Sequence, residues 1–361
     1  MATSKTVTLL TLIPEGLPLP EHFELVEGPA PVESVLPEGA LLLKALCFSA
    51  DPYLRGGCKS GAVPRPMSGF VSGKVLASKK EGWVAGDFFG ASLPFTTVQV
   101  LTAEAAAKTL LWKLTGLVDK ATNISRGIGV LGMPGSTAYG GLIDVLRPKP
   151  AAERKPGAAP EVLWVSGAAG AVGGMVGQLA KQLYGCTVIG SCGGADKCAL
   201  VTEKFGFDFA IDYKACGTDG APATAKELAA AVRAVCPDGV DMYFDNVGGA
   251  HFEAAMAVLR PHGRVAVCGG IAHYNAGERQ PERIFPTDMI YTFQRIEGFT
   301  CMPWLSGAKG QFLADMAQWL GEGKVAVEET SFAGAASWPM AFQALFTGAN
   351  TGKVVVDVSA D

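Results

Sequence analysis

Apolar positions follow one rhythm in the first third of this chain and another in its middle. Short β-prone runs stand at 6–12, 41–46, 70–77 and 97–101, divided by Gly and Pro clusters. Runs of that length between turn residues predict the strands of a small barrel or sandwich. Gly132-Met133-Pro134-Gly135-Ser136-Thr137-Ala138-Tyr139 then opens a helix toward Leu146, with Pro134 suited to its first turn. Residues 148–160, PKPAAERKPGAAP, predict a surface loop. From 162 onward strand-length apolar runs at 162–165, 187–190, 209–213, 240–244 and 264–268 alternate with helical spacing at 195–205, 226–235 and 251–259, and 291–299 can supply a sixth strand. That alternation predicts parallel βαβ units with right-handed crossovers. A helix at 312–320, a turn at Gly348-Ala349-Asn350-Thr351-Gly352 and a last β run at 353–358 form a tail expected to return to the first domain.

The middle pattern is organised around 162–185, VLWVSGAAGAVGGMVGQLAKQLYG. A buried-strand run leads into small residues, and Met175, Val176, Leu179, Ala180 and Leu183 then recur at helical spacing. Strand, glycine-rich turn and helix is how a dinucleotide-binding unit begins. The turn reads Ala168-x-Gly170-Ala171-Val172-Gly173, with Ala168 where the consensus has its first glycine. Small residues let the backbone approach a pyrophosphate, and the helix N-terminus offers it amides and a positive dipole end.

The second strand of such a unit usually ends in an acid that holds the ribose hydroxyls. Here the place reads Ser191-Cys192-Gly193-Gly194, with Lys197 in the first turn of the next helix. A cation there opposes the helix dipole, and a 2′-phosphate would give it a use. Asp196 suits a first-turn role better than that of the missing acid. NADP(H) is therefore expected over NAD.

Bulk properties narrow the rest. The 361 residues are enough for two domains with a sizeable core. A net charge of −4 with no basic run argues against nucleic acid, and no apolar run approaches a membrane span. Residues 1–8 lack the apolar core of a secretion signal, so the cytoplasm is the expected location. Nine cysteines without a C-x-x-C pair and four scattered histidines predict no metal site.

Several motifs stand in order along nearly the whole chain: Asp51-Pro52-Tyr53-Leu54-Arg55-Gly56, Gly132-Met133-Pro134-Gly135, the turn through Gly173 with Val176-Gly177-Gln178, Phe244-Asp245-Asn246-Val247-Gly248-Gly249, Cys268-Gly269-x-Ile271 with Tyr274-Asn275, and Gly348-x-Asn350-x-Gly352-Lys353. On them the chain resembles the zinc-free medium-chain dehydrogenase/reductases, and within these the alkenal double-bond reductase and prostaglandin reductase branch. Zinc-dependent relatives carry a Gly-His-Glu motif and a four-cysteine lobe; Ser68-Gly69-Phe70-Val71-Ser72-Gly73 has neither the His nor the Glu. The resemblance implies an α/β protein: a GroES-like β-rich catalytic domain from residues 1–128 and 311–361, and a Rossmann doubly wound parallel-sheet domain from 129–310.

The resemblance also implies roles. The turn from Ala168 through Gly170, Ala171, Val172 and Gly173 would hold the pyrophosphate. Lys197 and Tyr213 would meet the 2′-phosphate end, and Met133 and Thr137 the nicotinamide. Asn246 and Asn350 would hold the phosphate–ribose stretch, and Cys268 belongs to the same cofactor-binding set. Tyr274 would face the carbonyl of a small α,β-unsaturated substrate, and Tyr53 would line the substrate pocket. A homodimer is implied as well. The expected reaction is NADPH-dependent reduction of a conjugated carbon–carbon double bond. An NADPH quinone oxidoreductase of the same superfamily and a non-catalytic NADPH-binding protein stay open as alternatives. Two departures stand out: Ser136, where the family pattern suggests an apolar residue, and the long 148–160 loop.

Overall fold

Strand β1 (Thr3–Leu9) is held by β2 (Phe23–Pro29) and by the two-residue β4 (Arg65–Pro66) in a small antiparallel sheet. The larger sheet beside it is built on β3 (Leu41–Ser49), which pairs with β5 (Ser68–Ser78) and β7 (Val98–Leu101). It continues from β5 to β6 (Phe88–Pro94) and β8 (Leu111–Lys113). On the other side of β3 it takes in β16 (Lys353–Asp357) and β15 (Glu329–Ala333) from the end of the chain. Apart from Lys44, β3 is buried throughout, so it reads as an apolar run and not as an alternation. Phe48, Phe89, Phe95, Trp338 and Phe342 fill the core it shares with the tail.

The second sheet is parallel. It contains β9 (Val162–Ser166), β10 (Thr187–Cys192), β11 (Phe209–Asp212), β12 (Val240–Asp245), β13 (Leu259–Val267) and β14 (Arg295–Gly298). Their spatial order is β11-β10-β9-β12-β13-β14. This is the doubly wound order, with the chain reversing its direction of travel between β9 and β12. Open sheets of this kind bind ligands beyond the carboxyl ends of the strands at that reversal.

The computed structural model describes residues 3–118, 121–218, 220–278 and 280–361. It divides into two compact units, Met1–Met133 with Glu329–Asp361, and Pro134–Glu328. The sequence reading puts the same divisions at 128/129 and 310/311. The second difference has a plain cause. The helix Phe312–Gly321 packs with the second unit, where Phe312 meets Tyr139 edge-on at 5.9 Å and Met316 is fully buried.

Two elements also depart from the pattern reading. Residues 291–299 do not form one strand: Pro286–Thr292 is helical, with its proline in the first turn, and only Arg295–Gly298 joins the sheet. Across 195–205, an α-helical turn at Ala195–Ala199 passes into a π-helical one at Leu200–Lys204. Within 148–160 the one regular piece among the described residues is a short 3₁₀ turn, Ala151–Glu153.

Candidate active site

The glycine-rich turn between β9 and the Ala171–Tyr184 helix explains its own composition. Gly167 has φ +62°, while Ala168 keeps an ordinary backbone, buried, with its amide on the Ser191 carbonyl at 3.0 Å. The left-handed position has thus moved to Gly167, and an alanine at the consensus glycine strains nothing. At Gly173 a Cβ would lie 2.4 Å from the Gly167 carbonyl oxygen, so only glycine lets the helix sit this close to the turn.

Gly170 is the N-cap, and no side chain caps the helix. Its first amides, at Ala171, Val172 and Gly173, lack intrahelical partners by construction and carry the positive end of the dipole. An uncapped 14-residue helix with a side-chain-free approach fits a pyrophosphate.

The neighbouring strand β10 ends at Cys192 and is followed by Gly193 and Gly194. The Gly194 amide donates to Oδ1 of Asp212 at 2.9 Å, and so does that of Lys214 at 3.0 Å. Asp212, at the end of β11, therefore orders this corner. A Cβ at Gly193 would lie 2.9 Å from both the Tyr213 hydroxyl and Cε of Lys214. Lys197 is half-buried on the Ala195–Ala199 helix. Burial, and then the charge of Lys214, depress its ammonium below the ordinary lysine value. Tyr213 and Lys214 thus crowd Gly193, and Lys197 lies near enough to Lys214 for the two charges to interact, an arrangement suited to a phosphate dianion. Lys214 was missed in the sequence, although it follows Tyr213 directly. Tyr213 stands edge-on to His251 at 5.3 Å, and burial raises its phenol.

At the reversal point, Asp245 ends β12 fully buried. It accepts from the Tyr243 hydroxyl at 2.7 Å, the Gly248 amide at 2.9 Å and the Val247 amide at 3.1 Å. Burial raises its carboxyl above the ordinary value, and those donors oppose the shift. It orders the loop that carries Asn246. The Asn246 side-chain amide donates to the Ser166 carbonyl at 2.7 Å, and its backbone amide to Ser166 Oγ at 2.9 Å. Asn246 therefore ties the ends of β9 and β12 together.

The neighbouring strand β13 is followed by Cys268, whose amide bonds the Asp245 carbonyl at 2.9 Å and whose thiol is pushed well up by burial. Tyr274 closes the short turn Ile271–Tyr274 and is half-buried. Its hydroxyl accepts from the Gly270 amide at 3.3 Å. Burial raises its phenol, and the amide bond works the other way.

Met133 and Thr137 lie on the helix Met133–Gly140, with Thr137 buried. Ser136 on the same helix is fully buried. In the first unit, Tyr53 is 45% exposed and leans edge-on against Phe70 at 6.4 Å. It borders an open depression of about 490 Å³ with Leu54, Gly57 and Arg65. Asn350 sits in the turn before β16, with Nδ2 3.4 Å from the Gly352 carbonyl. Among the described residues, no three His, Cys, Asp or Glu side chains gather as a metal site.

The family models described as "Zinc-binding dehydrogenase" and "N-terminal domain of oxidoreductase" match residues 171–320 and 6–109. Prostaglandin reductase 1 of Mus musculus is 36% identical over 343 residues, covering 95% of each chain. The chain belongs to the zinc-independent alkenal and prostaglandin reductase branch of the medium-chain dehydrogenase/reductases. The 2-alkenal reductase (NADP(+)-dependent) of Nicotiana tabacum is 35% identical over 337 residues, covering 90% of each chain. The crystal structure of CurA from Vibrio vulnificus in complex with NADPH superposes with a TM-score of 0.80 at 33% identity, covering 98% of this chain and 99% of that one. With the branch established, the β-rich unit is its GroES-like domain and the parallel-sheet unit its Rossmann domain.

Proposed function

We propose that this protein reduces the carbon–carbon double bond of α,β-unsaturated aldehydes and ketones with NADPH. The observation that carries the reading is the corner around Gly193, where two lysines and a tyrosine stand in place of a ribose-binding acid. It is supported by the branch to which the chain belongs, including the NADP(+)-dependent 2-alkenal reductase.

When bound, NADPH would supply a hydride to the β-carbon of the substrate; the charge that collects on the carbonyl oxygen is discharged when water delivers a proton to the α-carbon. The chain's residues bind, orient and stabilise. Amides of Ala171, Val172 and Gly173 would receive the pyrophosphate; Lys197, Tyr213 and Lys214 the 2′-phosphate; Met133 and Thr137 the nicotinamide; Asn246, Cys268 and Asn350 the ribose stretch. Tyr274 would donate a hydrogen bond from its hydroxyl to the developing oxyanion. Accepting from Gly270 occupies a lone pair of the phenol and leaves that proton to donate. Burial keeps the phenol protonated well past neutral pH. Tyr53 would position the rest of the substrate beside the Leu54–Arg65 depression.

We further infer a homodimer in the cytoplasm. Phe285, Ile290, Tyr291 and Phe293 are 69%, 63%, 82% and 67% exposed just before β14, the edge strand of the parallel sheet. An open strand edge beside apolar side chains suits a second copy of the same edge. Light scattering should give twice the 37.4 kDa of one chain; a monomer at micromolar concentration would reject the dimer. The nine cysteines are free thiols, the state a reducing compartment maintains.

The activity is tested by following NADPH absorbance with a medium-chain 2-alkenal, an enone, a quinone and, with NADP⁺, a saturated alcohol. Oxidation by the alkenal or enone, and slow reaction with NADH, is expected. Turnover of the quinone alone would reject the reading.

A further inference from the structure

The buried charges of the first unit point to a positioning device. Lys353 and Asp51 are 4% and 3% exposed, 302 positions apart in sequence, and paired at 2.9 Å. Lys353 Nζ also donates to Ser49 Oγ at 2.7 Å and to the Ala50 carbonyl at 2.8 Å, which uses all three ammonium protons. Ser49 Oγ in turn donates to the other Asp51 carboxylate oxygen. The cluster is closed, with every charge and proton satisfied inside the protein.

Its place in the chain gives it a use beyond stability. Asp51 is two residues before Tyr53, and Lys353 three after Asn350. β16 pairs antiparallel with β3 through Val355–Ser49, and one further backbone bond, from the Ala50 amide to the Val354 carbonyl at 3.4 Å, carries the pairing toward the loops. Beyond that bond, the side chains of the Asp51–Lys353 cluster link the Tyr53 turn to the Asn350 turn. On the far side, the Thr351 amide donates to Thr330 Oγ1 at 2.9 Å, and that hydroxyl donates to the Thr351 carbonyl at 2.7 Å. The Asn350 turn is thus clamped from β15 and from the Asp51 loop together.

We propose that Lys353 is a positioning residue that holds the substrate-side Tyr53 and the cofactor-side Asn350 in one register through Asp51. The inference rests on the reading that assigns those two residues to substrate and cofactor. A buried ion pair adds little net stability compared with apolar groups of the same shape, whereas removing one partner strands a charge. Specificity of geometry is the use that remains.

The test compares Lys353→Met, the double variant Asp51→Leu with Lys353→Met, and the single changes Tyr53→Ala and Asn350→Ala. Melting temperature, NADPH Kd, and KM and kcat for a 2-alkenal are measured on each. Lys353→Met strands the Asp51 carboxylate and melts lower; the double variant stays folded. In the folded double variant, KM and NADPH Kd should each rise about tenfold, with kcat at saturation changed much less. Unchanged KM and Kd in that variant, while Tyr53→Ala raises KM and Asn350→Ala raises Kd, would reduce the pair to a structural one and overturn the proposal. If Tyr53→Ala and Asn350→Ala move neither constant, the site assignment itself fails, and the proposal falls with it.

Discussion

The backbone amide of Gly270 donates to the hydroxyl of Tyr274 at 3.3 Å. The bond pins the phenol over the end of β13 and draws electron density from its oxygen, while burial holds the proton on. A donor prepared in this way should stabilise an enolate without ionising. Tyr274→Phe is therefore expected to lower kcat about tenfold to a hundredfold, with NADPH Kd unchanged. Because the folded phenol titrates above its ordinary value of 10.0, wild-type activity should not fall through Tyr274 ionisation below that pH. Steady-state kinetics from neutral pH to pH 10 check both points.

The Gly193 corner predicts cofactor choice. Lys197→Ala should raise KM for NADPH by about tenfold to a hundredfold, the worth of a charge-assisted contact, and leave KM for NADH alone. Lys214→Ala should act in the same direction. Parallel titrations with the two cofactors check this, and equal losses with both would remove the lysines from the 2′-phosphate.

At Gly173 the turn has no room for a methyl group, because the Gly167 carbonyl oxygen lies 2.4 Å from its Cβ position. Gly173→Ala should push the helix off the turn, cost about 1–3 kcal/mol of stability and weaken NADPH binding at least tenfold. Urea denaturation and cofactor fluorescence titration measure the two effects.

His251 is buried, its Nε2 has no partner among the described residues, and burial lowers its pKa from 6.5 to about 4. The unfolded chain takes up this proton near pH 6.5, and the folded chain refuses it until about pH 4. The stability this group carries is complete above pH 6.5 and is lost as pH falls toward 4, about 3 kcal/mol in all. His251→Phe should therefore narrow the difference between urea midpoints measured at pH 7 and pH 4.5.

Much of this is visible in the sequence wherever local chemistry and tertiary structure agree. The 162–185 stretch shows its strand, turn and helix because each piece is apolar or small for its own reason. The corner around Gly193 was half visible: Lys197 stands out as a cation in a first helical turn, while Lys214 follows a strand end, where charges are common. β2 and β15 were missed because they are largely exposed and show no alternation of apolar positions. The 291–299 run looks like a strand by its aromatic and β-branched residues, yet Pro286 starts a helix that consumes its first residues. The Asp51–Lys353 pair was out of reach, since nothing local links positions 302 apart.

The central claim is that hydride reaches the β-carbon of a conjugated alkene. NADPH deuterated at its transferring carbon, incubated with the enzyme and a 2-alkenal, tests it most directly. The account predicts a saturated aldehyde carrying deuterium at its β-carbon, read by NMR and mass spectrometry. Deuterium at the carbonyl carbon of an unsaturated alcohol would contradict it.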